Sequence, residues 1–237
     1  MDRVRTCLVL LALGVSTVTT PSAATQVGVT AFGGYNTYSM EDVNDFINFL
    51  NTDPGFLGGT GYSLDDISSG WGYGAGLRVR PSGDKIVIGL DYERLMASSE
   101  LEVFDASLTL DVPANAFTGT VFYFFPSTSR ARFGLGAGVG YYSSSGELVG
   151  EDSGSSESID VEGSGVGFHG VGAVDIGISS TVHFEGSAGY RMAKTSDVKV
   201  GDVEITNSAG DDASIDWSGL MTRLGFTFYF GGGSTAP

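Results

Sequence analysis

The sequence predicts an all-β fold, an eight-stranded antiparallel transmembrane up-and-down β-barrel, and three observations lead to this prediction. Apolar and polar residues alternate with a period of two in eight stretches of the 237-residue chain. The connections between these stretches are alternately short and long. No stretch reaches the roughly 18 consecutive apolar residues that a membrane-spanning helix needs.

Each of the eight predicted strands places apolar side chains on one face. In chain order the stretches are "QVGVTAFGGY", "WGYGAGLRVR", "KIVIGLDYE", "AFTGTVFYFF", "RFGLGAGVGYY", "GFHGVGAVDIGI", "VHFEGSAGYRM" and "GLMTRLGFTFYF". Residues that mark their apolar faces are, in the same order, Val27, Trp71, Ile88, Phe117, Leu135, Phe168, Phe184 and Phe226. The opposite face of several strands is rich in glycine, which is typical of a narrow and crowded barrel lumen.

The first 24 residues are predicted to be a signal peptide. A basic start precedes the short apolar run "CLVLLALGV", and Ser22 and Ala24 supply the small residues of a cleavage site. The only cysteine, Cys7, lies inside this segment, so the mature chain is expected to have no disulfide. The expected organisation is a signal peptide over 1–24, a barrel over 25–230 and a short periplasmic tail over 231–237.

The predicted connections give the barrel two different ends. "PSGD", "PSTSR" and "SST" are short, whereas the segments around 36–70, 94–107, 143–164 and 193–215 are long. Short periplasmic turns and long outer loops are typical of outer-membrane barrels. Aromatic residues near the predicted strand ends are expected to form interfacial girdles, namely Tyr35, Trp71, Tyr92, Tyr141, Tyr190 and Trp217.

The long loops are expected to be acidic, because they hold most of the Asp and Glu of the mature chain. The third loop, "SSSGELVGEDSGSSESIDVEGSG", is polar and of low complexity, and we expect it to be mobile. An acidic surface can collect divalent cations, but no calcium-loop spacing is present, and solvated charge is the favoured interpretation. The net charge of −16 and the lack of Lys/Arg clusters exclude nucleic acid as a partner.

A short amphipathic helix is predicted in the first loop, in the stretch "SMEDVNDFINFL". Ser39 is the expected N-cap. The helical spacing places these residues on one face: Met40, Val43, Phe46, Ile47 and Leu50. The favoured interpretation is that this face packs onto the loops. The alternative is a lid or site at the barrel mouth, where Val43, Phe46, Ile47 and Leu50 contact a hydrophobic ligand.

Strand alternation predicts a network of charged side chains inside the barrel. The residues turned inward are Arg78, Asp91, Glu93, Arg132, Asp175, Glu185, Arg191 and Arg223. The short "SST" turn brings Asp175 near Glu185, and Arg132 and Arg223 are the expected partners of these two carboxylates. The same alternation turns Arg80 inward, and the alternative for this residue is a strand end in water. Because an eight-stranded barrel is only wide enough for side chains to fill it, we expect a plugged lumen.

Catalysis has little support in the sequence. A hydrolase of Ser–His type needs a nucleophile beside a histidine that an acid orients. Both histidines, His169 and His183, are predicted to face the lumen, and no serine has a matching spacing. A structural role beside Glu185 is therefore favoured for His183. The sequence has no metal-ligand cluster and no phosphate-binding loop, and we expect no cofactor.

These features resemble the small outer-membrane β-barrel proteins of Gram-negative-type bacteria, namely the OmpA-like transmembrane barrels, OmpX and OmpW. The resemblance rests on the signal peptide, the eight amphipathic strands and the last strand, which ends "GFTFYF". It implies location in the bacterial outer membrane, lipid as the covering partner, and handling by periplasmic chaperones and the barrel-insertion machinery. It also implies that Phe226, Phe228 and Phe230 form an insertion signal, although the tail "GGGSTAP" departs from a strictly terminal signal.

Two functions are compatible with such a barrel. The favoured one is a non-enzymatic, monomeric protein that supports the envelope or interacts with a surface through its long loops. The alternative, which the OmpW resemblance implies, is a conduit or binding pocket for small hydrophobic molecules. A lipid-modifying outer-membrane enzyme ranks third.

Overall fold

A computed structural model gives the structure of residues 25–81, 85–103, 106–152, 155–200, 203–204, 206–207 and 210–230. The predicted signal peptide over 1–24 and the predicted tail over 231–237 lie outside these described residues. Residues 82–84 of the predicted "PSGD" turn lie outside them as well. The helical part of the described chain contains no segment with the length and apolar content that crossing a bilayer requires.

Twelve strands and one helix follow one another along the described chain. They are β1 (Gln26–Thr37), α1 (Glu41–Thr52), β2 (Ser69–Arg80), β3 (Ile86–Leu95), β4 (Ser98–Val103), β5 (Ala106–Asp111), β6 (Ala114–Phe124), β7 (Ala131–Asp152), β8 (Ser155–Gly177), β9 (Val182–Val200), β10 (Val203–Glu204), β11 (Ile215–Asp216) and β12 (Gly219–Phe230).

Eight of these strands close into an antiparallel barrel, in the order β1, β2, β3, β6, β7, β8, β9 and β12. β1 completes the ring because it pairs with β2 along one edge and with β12 along the other. Ala31, for example, lies opposite both Ala75 and Phe226. Each predicted stretch corresponds to one of these strands, so the predicted eight-stranded barrel is confirmed.

Side chains alternate between the outer face and the lumen, as the period of two predicts. β12 shows a strict alternation of exposed and buried residues. Phe226, Phe228 and Phe230 are 48, 51 and 61 % exposed on the outer face. Arg223 and Thr227 of the same strand are buried in the lumen. The predicted outward direction of the three phenylalanine rings is therefore confirmed.

Glycines on the inner face make room for the charged side chains. A Cβ atom on Gly76 would lie 2.0 Å from Asp91 Oδ1, and one on Gly138 would lie 2.5 Å from His169 Nε2. Real Cβ atoms do not approach other atoms this closely, so both positions require glycine as long as their neighbours keep these places. This close approach explains why the lumen-facing side of the strands is rich in glycine.

The described residues of the third loop form regular strands, which the sequence did not predict. β7 and β8 continue as one long hairpin, which pairs from Ala131 with Ile176 to Asp152 with Ser155. β5 pairs with one edge of this extension, and β9 pairs with its other edge. Alternating apolar residues in this extension, such as Leu148 and Val161, pack against buried neighbours. A purely polar segment would have no such side chains to bury.

The second and fourth loops also contain strands that were not predicted. In the second loop, β4 and β5 form a hairpin in which Leu101 lies opposite Leu108. In the fourth, β9 extends to Val200, and the short strands β10 and β11 pair back onto it. Strands therefore rise above the barrel at its long-loop end.

Helix α1 begins at Glu41, one residue later than predicted. Met40, not Ser39, is the N-cap residue, and it adopts a left-handed conformation with φ of 48°. The Ser39 hydroxyl donates to the carbonyl of Ser218 instead, at 3.3 Å. Met40 is held in place because its side chain is fully buried and its amide donates to the carbonyl of Asp216 at 3.0 Å. Tertiary packing here overrides local capping preference.

Candidate functional site

The lumen contains a network of charged side chains, here called the lumen network. It consists of Arg78, Arg80, Asp91, Glu93, Arg132, Asp175, His183, Glu185, Arg191 and Arg223. Strand alternation places all of these residues on the inner face, as predicted. The network has three layers along the barrel axis.

The layer nearest the short turns is centred on the carboxylate of Asp175, whose side chain is 2 % exposed. Arg80 Nη2 donates to it at 3.0 Å, and Arg132 Nη2 donates to the same oxygen. His183 Nδ1 contacts the other oxygen at 2.6 Å. The guanidinium of Arg80 also lies over the ring of Tyr229, 4.3 Å from its centroid. Asp175 is thus surrounded by three nitrogen donors.

The middle layer is a bridge made by Arg78. Its Nη1 donates to Asp91 at 2.5 Å, and its Nε donates to Glu185 at 3.0 Å. Asp91 lies on the neighbouring strand β3, whereas Glu185 lies on β9 across the lumen. Arg78 therefore ties two walls of the barrel together.

The uppermost layer joins Glu93 to two arginines. Arg223 Nη2 donates to Glu93 Oε2 at 2.5 Å, and Arg223 Nη1 lies 3.6 Å from Asp91. Arg191 Nη1 lies 3.9 Å from Glu93, and Arg191 Nε donates to the carbonyl of Trp217 at 3.0 Å. The side chains of Glu93 and Arg191 are fully buried. Charges in this layer depend on each other because burial removes most of the water that would otherwise screen them.

One predicted pairing in the network is wrong, and one alternative is not observed. Arg80 faces inward as alternation predicts, 6 % exposed and bound to Asp175, so the alternative of a strand end in water does not hold. Arg223 does not pair with Asp175 or Glu185; it reaches Asp91 and Glu93 instead. Inward direction follows from alternation, but the partner across the lumen depends on how far the strands are staggered.

The two histidines face the lumen as predicted, and they take different partners. His169 is buried, and its Nε2 lies 2.8 Å from the hydroxyl of Thr120. His183 pairs with Asp175 rather than with Glu185, which binds Arg78. In the described part of the chain, no serine hydroxyl is hydrogen-bonded to either histidine. The described residues also contain no group of three or more His, Cys, Asp or Glu side chains suited to a metal ion.

An apolar cluster, here called the cap, lies at the long-loop end of the barrel. Its buried residues are Tyr38, Met40, Ile47, Leu50, Leu64, Ile67, Leu95, Ala97, Leu110, Val112, Ala114, Ala116, Tyr142, Ala193, Val198, Ala213, Ile215 and Trp217. The first loop with α1, the second loop and the extended strands all contribute to it. The cap was not predicted, because its members come from segments far apart in the sequence.

Trp217 lies at the centre of the cap, so its predicted place in an interfacial girdle is wrong. Its side chain is 0 % exposed, and its indole nitrogen donates to the hydroxyl of Ser144 at 2.8 Å. The ring of Tyr38 packs edge-on against it, with centroids 4.9 Å apart. The other predicted girdle residues, from Tyr35 to Tyr190, are 39–64 % exposed on the outer face.

Helix α1 fastens the first loop to the cap through two asparagines one heptad apart. Asn44 donates to the carbonyl of Ile67 at 3.1 Å and accepts from its amide at 2.8 Å. Asn51 makes the same two bonds with Leu64, at 3.0 and 2.8 Å. These bonds hold the returning chain against the helix, and Leu64 and Ile67 then enter the cap. Sequence reasoning had assigned no role to either asparagine.

The predicted ligand face of α1 is only partly a buried face. Ile47 and Leu50 are buried in the cap, and Val43 packs against it. Phe46 departs from this face, because 42 % of it is exposed to solvent. The favoured interpretation of the helix, that it packs onto the loops, agrees with the burial of Ile47 and Leu50.

Asp42 attaches the first turn of α1 to the fourth loop. Its carboxylate accepts from the amide of Ser214 at 2.9 Å, from the Ser214 hydroxyl at 2.6 Å and from Asn207 Nδ2 at 3.3 Å. Burial alone would raise the pKa of Asp42, but these hydrogen bonds outweigh it, and the pKa is lowered from its ordinary value of 3.8.

No protein-family model matches the sequence, and no curated protein matches it. Solved structures do resemble the fold. A major outer membrane protein from Thermus thermophilus superimposes with a TM-score of 0.55 at 10 % identity, covering 87 % of this chain and 99 % of that one. OprG from Pseudomonas aeruginosa gives 0.49 at 13 % identity, with 88 and 96 % covered. Neisserial surface protein A gives 0.43 at 14 % identity, with 87 and 97 % covered.

The chain has the fold of an outer-membrane β-barrel. At these identities the likeness concerns the fold alone. The outer face of this barrel agrees with it, since large apolar side chains such as Leu77, Leu135 and Leu224 are 46, 60 and 61 % exposed there. A soluble protein rarely exposes so extended an apolar surface.

The inside of the barrel leaves little free space. A cavity of about 40 Å³ lies between Arg78, Glu185 and Arg223. This volume holds a few water molecules. Several buried polar atoms nearby, among them Arg223 Nε and Glu93 Oε1, have no hydrogen-bond partner within the protein. The arrangement is suited to holding strands together.

Proposed function

We propose that the protein is a non-enzymatic, monomeric barrel of the bacterial outer membrane that supports the envelope or interacts with other surfaces through its long loops. The observation that carries this proposal is the filled and covered lumen. Ion pairs occupy the barrel interior, and the cap lies over the long-loop end. A transport protein needs an open path through the barrel, and here the ion pairs and the cap occupy that path.

The apolar outer face supports the location in a membrane. Its large side chains would need a covering layer, and lipid supplies one without a partner chain. Closure also removes the free strand edges of the barrel itself, which supports a monomer. In the proposed orientation the short turns face the periplasm and the long loops face outward. The predicted signal peptide and the barrel-insertion machinery, with Phe226, Phe228 and Phe230 as its signal, belong to the same proposal.

The long-loop end supports a role in surface interaction. The extended strands β7 and β8 pair on both edges, and the cap gives the loops a buried core of their own. The loops are therefore a built surface rather than loose connections. Such a surface can present a fixed arrangement of side chains to a partner without refolding.

The non-enzymatic part of the proposal is supported by the position of the histidines. His169 is bonded to Thr120, and His183 is held by Asp175 inside the barrel. A lipid substrate would approach from the outer face, so neither imidazole is placed to meet it. Incubation of the reconstituted protein with outer-membrane lipid, followed by mass spectrometry of the lipid, tests this point. We expect unchanged lipid masses.

A planar-bilayer recording tests the filled lumen. We expect the reconstituted protein to give no reproducible channel openings under conditions in which a general porin, recorded in parallel, opens readily. Stable and uniform openings from the wild-type protein would contradict the proposal and would favour a conduit.

A matched pair of variants tests the alternative of a site for small hydrophobic molecules. Ile47→Asp places a charge in the cap, whereas Phe46→Asp places one on the exposed side of the same helix turn. If the helix only packs, Ile47→Asp makes the first loop sensitive to protease, and Phe46→Asp changes neither protease resistance nor uptake. A loss of uptake of hydrophobic compounds in Phe46→Asp, with the loop still resistant, would instead support a ligand site.

A further inference from the structure

One cation on the outer wall of the barrel is placed differently from the charges of the lumen. Arg94 lies near the long-loop end of β3, on the same face as Leu90 and Tyr92. Asp91 and Glu93, which alternate with them, are buried inside. Arg94 therefore points outward and places a charged side chain on the otherwise apolar outer face of β3.

The neighbours of Arg94 leave its charge unbalanced. Across the strands it lies between Tyr73 on β2 and Asn115 on β6. Arg94 Nη1 donates to Asn115 Oδ1 at 3.0 Å, and the Tyr92 hydroxyl donates to the same oxygen at 2.8 Å. No carboxylate of the described residues forms an ion pair with Arg94.

An apolar groove begins directly below Arg94. It has a volume of about 430 Å³ and is lined by Ala75 and by residues 90–92 and 117–119. The rings of Tyr92 and Phe117, with centroids 5.2 Å apart, form its upper wall. The small residues Ala75 and Gly119 provide the hollow, and a Cβ on Gly119 would meet only Leu90 Cδ2, at 3.7 Å.

The height of Arg94 on the barrel matches the boundary between lipid tails and headgroups. Arg94 is eight residues beyond Ile86, the first residue of β3. With a rise of about 3.3 Å per residue and a strand tilt of about 40°, Arg94 lies about 20 Å above Ile86 along the barrel axis. The apolar band of an outer-membrane barrel is about 25 Å tall, so the backbone of Arg94 lies about 5 Å below its upper edge when Ile86 lies at the lower edge. The long side chain then carries the guanidinium to the level of the lipid phosphates.

We propose that this part of the wall, formed by Arg94 and the groove below it, binds one anionic phospholipid. The lipid phosphate accepts hydrogen bonds from the guanidinium of Arg94, which presents a planar set of donors suited to phosphate. One acyl chain lies in the groove against Leu90, Tyr92 and Phe117. The site combines a charge that complements the headgroup with a hollow that fits the chain, and it rests on the proposed location in a membrane.

Lys194 provides an internal control. It also points outward near the long-loop end, on the same face of β9 as Tyr190 and Met192. Its cross-strand partner on β11 is Asp216, so a carboxylate lies beside it. Loss of Lys194 should therefore not affect a lipid held at Arg94.

Native mass spectrometry of the detergent-solubilised protein tests the proposal, with dioleoyl phosphatidylglycerol and dioleoyl phosphatidylcholine added at equal concentration. These lipids have the same chains and differ in headgroup charge. We expect the wild type to retain phosphatidylglycerol about fivefold better than phosphatidylcholine, because one basic residue at a membrane surface provides a preference of about this size for an anionic lipid. Arg94→Gln keeps a hydrogen-bond donor for Asn115 but has no charge. It should therefore retain the two lipids about equally. Lys194→Gln should behave as the wild type.

A groove variant tests the second half of the site. The Cβ of Gly119→Leu makes only an ordinary contact with Leu90, and the rest of its side chain fills the hollow, so the variant should lower retention of the anionic lipid although Arg94 is present. An unchanged preference in Arg94→Gln would overturn the proposal, and unchanged retention in Gly119→Leu would overturn the acyl-chain position. Insertion into lipid vesicles is measured first for each variant. A wild type that fails to insert contradicts the membrane location, whereas one that inserts without lipid preference contradicts only this site.

Discussion

Replacing Arg223 with methionine tests whether the lumen network holds the barrel together. The change removes the donor that lies 2.5 Å from Glu93 Oε2. Glu93 is fully buried, and its remaining cation, Arg191, is 3.9 Å away. Breaking a buried ion pair by removing one partner costs about 3–5 kcal/mol, because the other charge stays buried without compensation. We expect Arg223→Met to lower the free energy of unfolding by that amount.

Arg80→Met is the matched control for this prediction. Arg80 is as buried as Arg223, at 6 and 8 % exposure, but its partner Asp175 keeps both Arg132 and His183. Loss of one donor among three should cost about 1–2 kcal/mol. The double variant Arg223→Met/Glu93→Met removes both charges, but it also removes the carboxylate nearest to the buried Arg191. We therefore expect it to recover only part of the loss of the single variant.

Urea unfolding of the protein in lipid vesicles measures these differences through tryptophan fluorescence. The two tryptophans report different places, since Trp71 is 64 % exposed on the outer wall and Trp217 is buried in the cap. The reasoning would be refuted if Arg223→Met cost no more than Arg80→Met, or if the double variant were as unstable as the sum of its two single changes.

Three further predictions concern the wall and the cap. Gly76→Ala should destabilise the barrel by about 1–3 kcal/mol through overpacking against Asp91. Gly119→Ala, whose Cβ makes only an ordinary contact with Leu90, should be neutral or stabilising by up to about 1 kcal/mol in the same unfolding assay. Phe226→Arg should cost about 2–4 kcal/mol near the membrane midplane, and Phe226→Leu should cost far less; equal costs would contradict lipid contact. Since the pKa of Asp42 is lowered from 3.8, its stabilisation of α1 is complete above that pH and is lost as the pH falls through the lower, folded value. Limited proteolysis should then show the first loop opening in acid, and Asp42→Asn, which is already uncharged, should show no such step.

The sequence was sufficient to predict the barrel because a barrel strand has a simple local signature. Alternation in "GLMTRLGFTFYF" assigns every side chain of β12 to the correct face. The same rule turned Asp91, Glu93 and Arg223 inward. It did not pair them, because pairing across a lumen depends on the stagger between strands that are distant in the chain.

The cap could not be predicted from the sequence, for a different reason. Its residues come from the first, second and fourth loops and from the extended strands, and no single segment shows a period that marks them together. Trp217 illustrates the difficulty: a tryptophan beside the last strand is typical of a girdle, yet this one is buried against Tyr38. The extension of β7 and β8 was missed because acidic and serine-rich residues mask the short apolar alternation within it.

Arg191 shows why the lumen network and the cap act as one structure. Its guanidinium faces Glu93 below, and its Nε holds the carbonyl of Trp217 above. The rings of Tyr38 and Tyr142 lie on either side, each with its centroid 5.8 Å from the guanidinium carbon. Lifting the cap would remove the Trp217 carbonyl and both rings from a charge whose nearest carboxylate is 3.9 Å away. Opening of the long-loop end would therefore expose the cap and leave Arg191 poorly compensated at the same time, which favours a permanent cover over a gate.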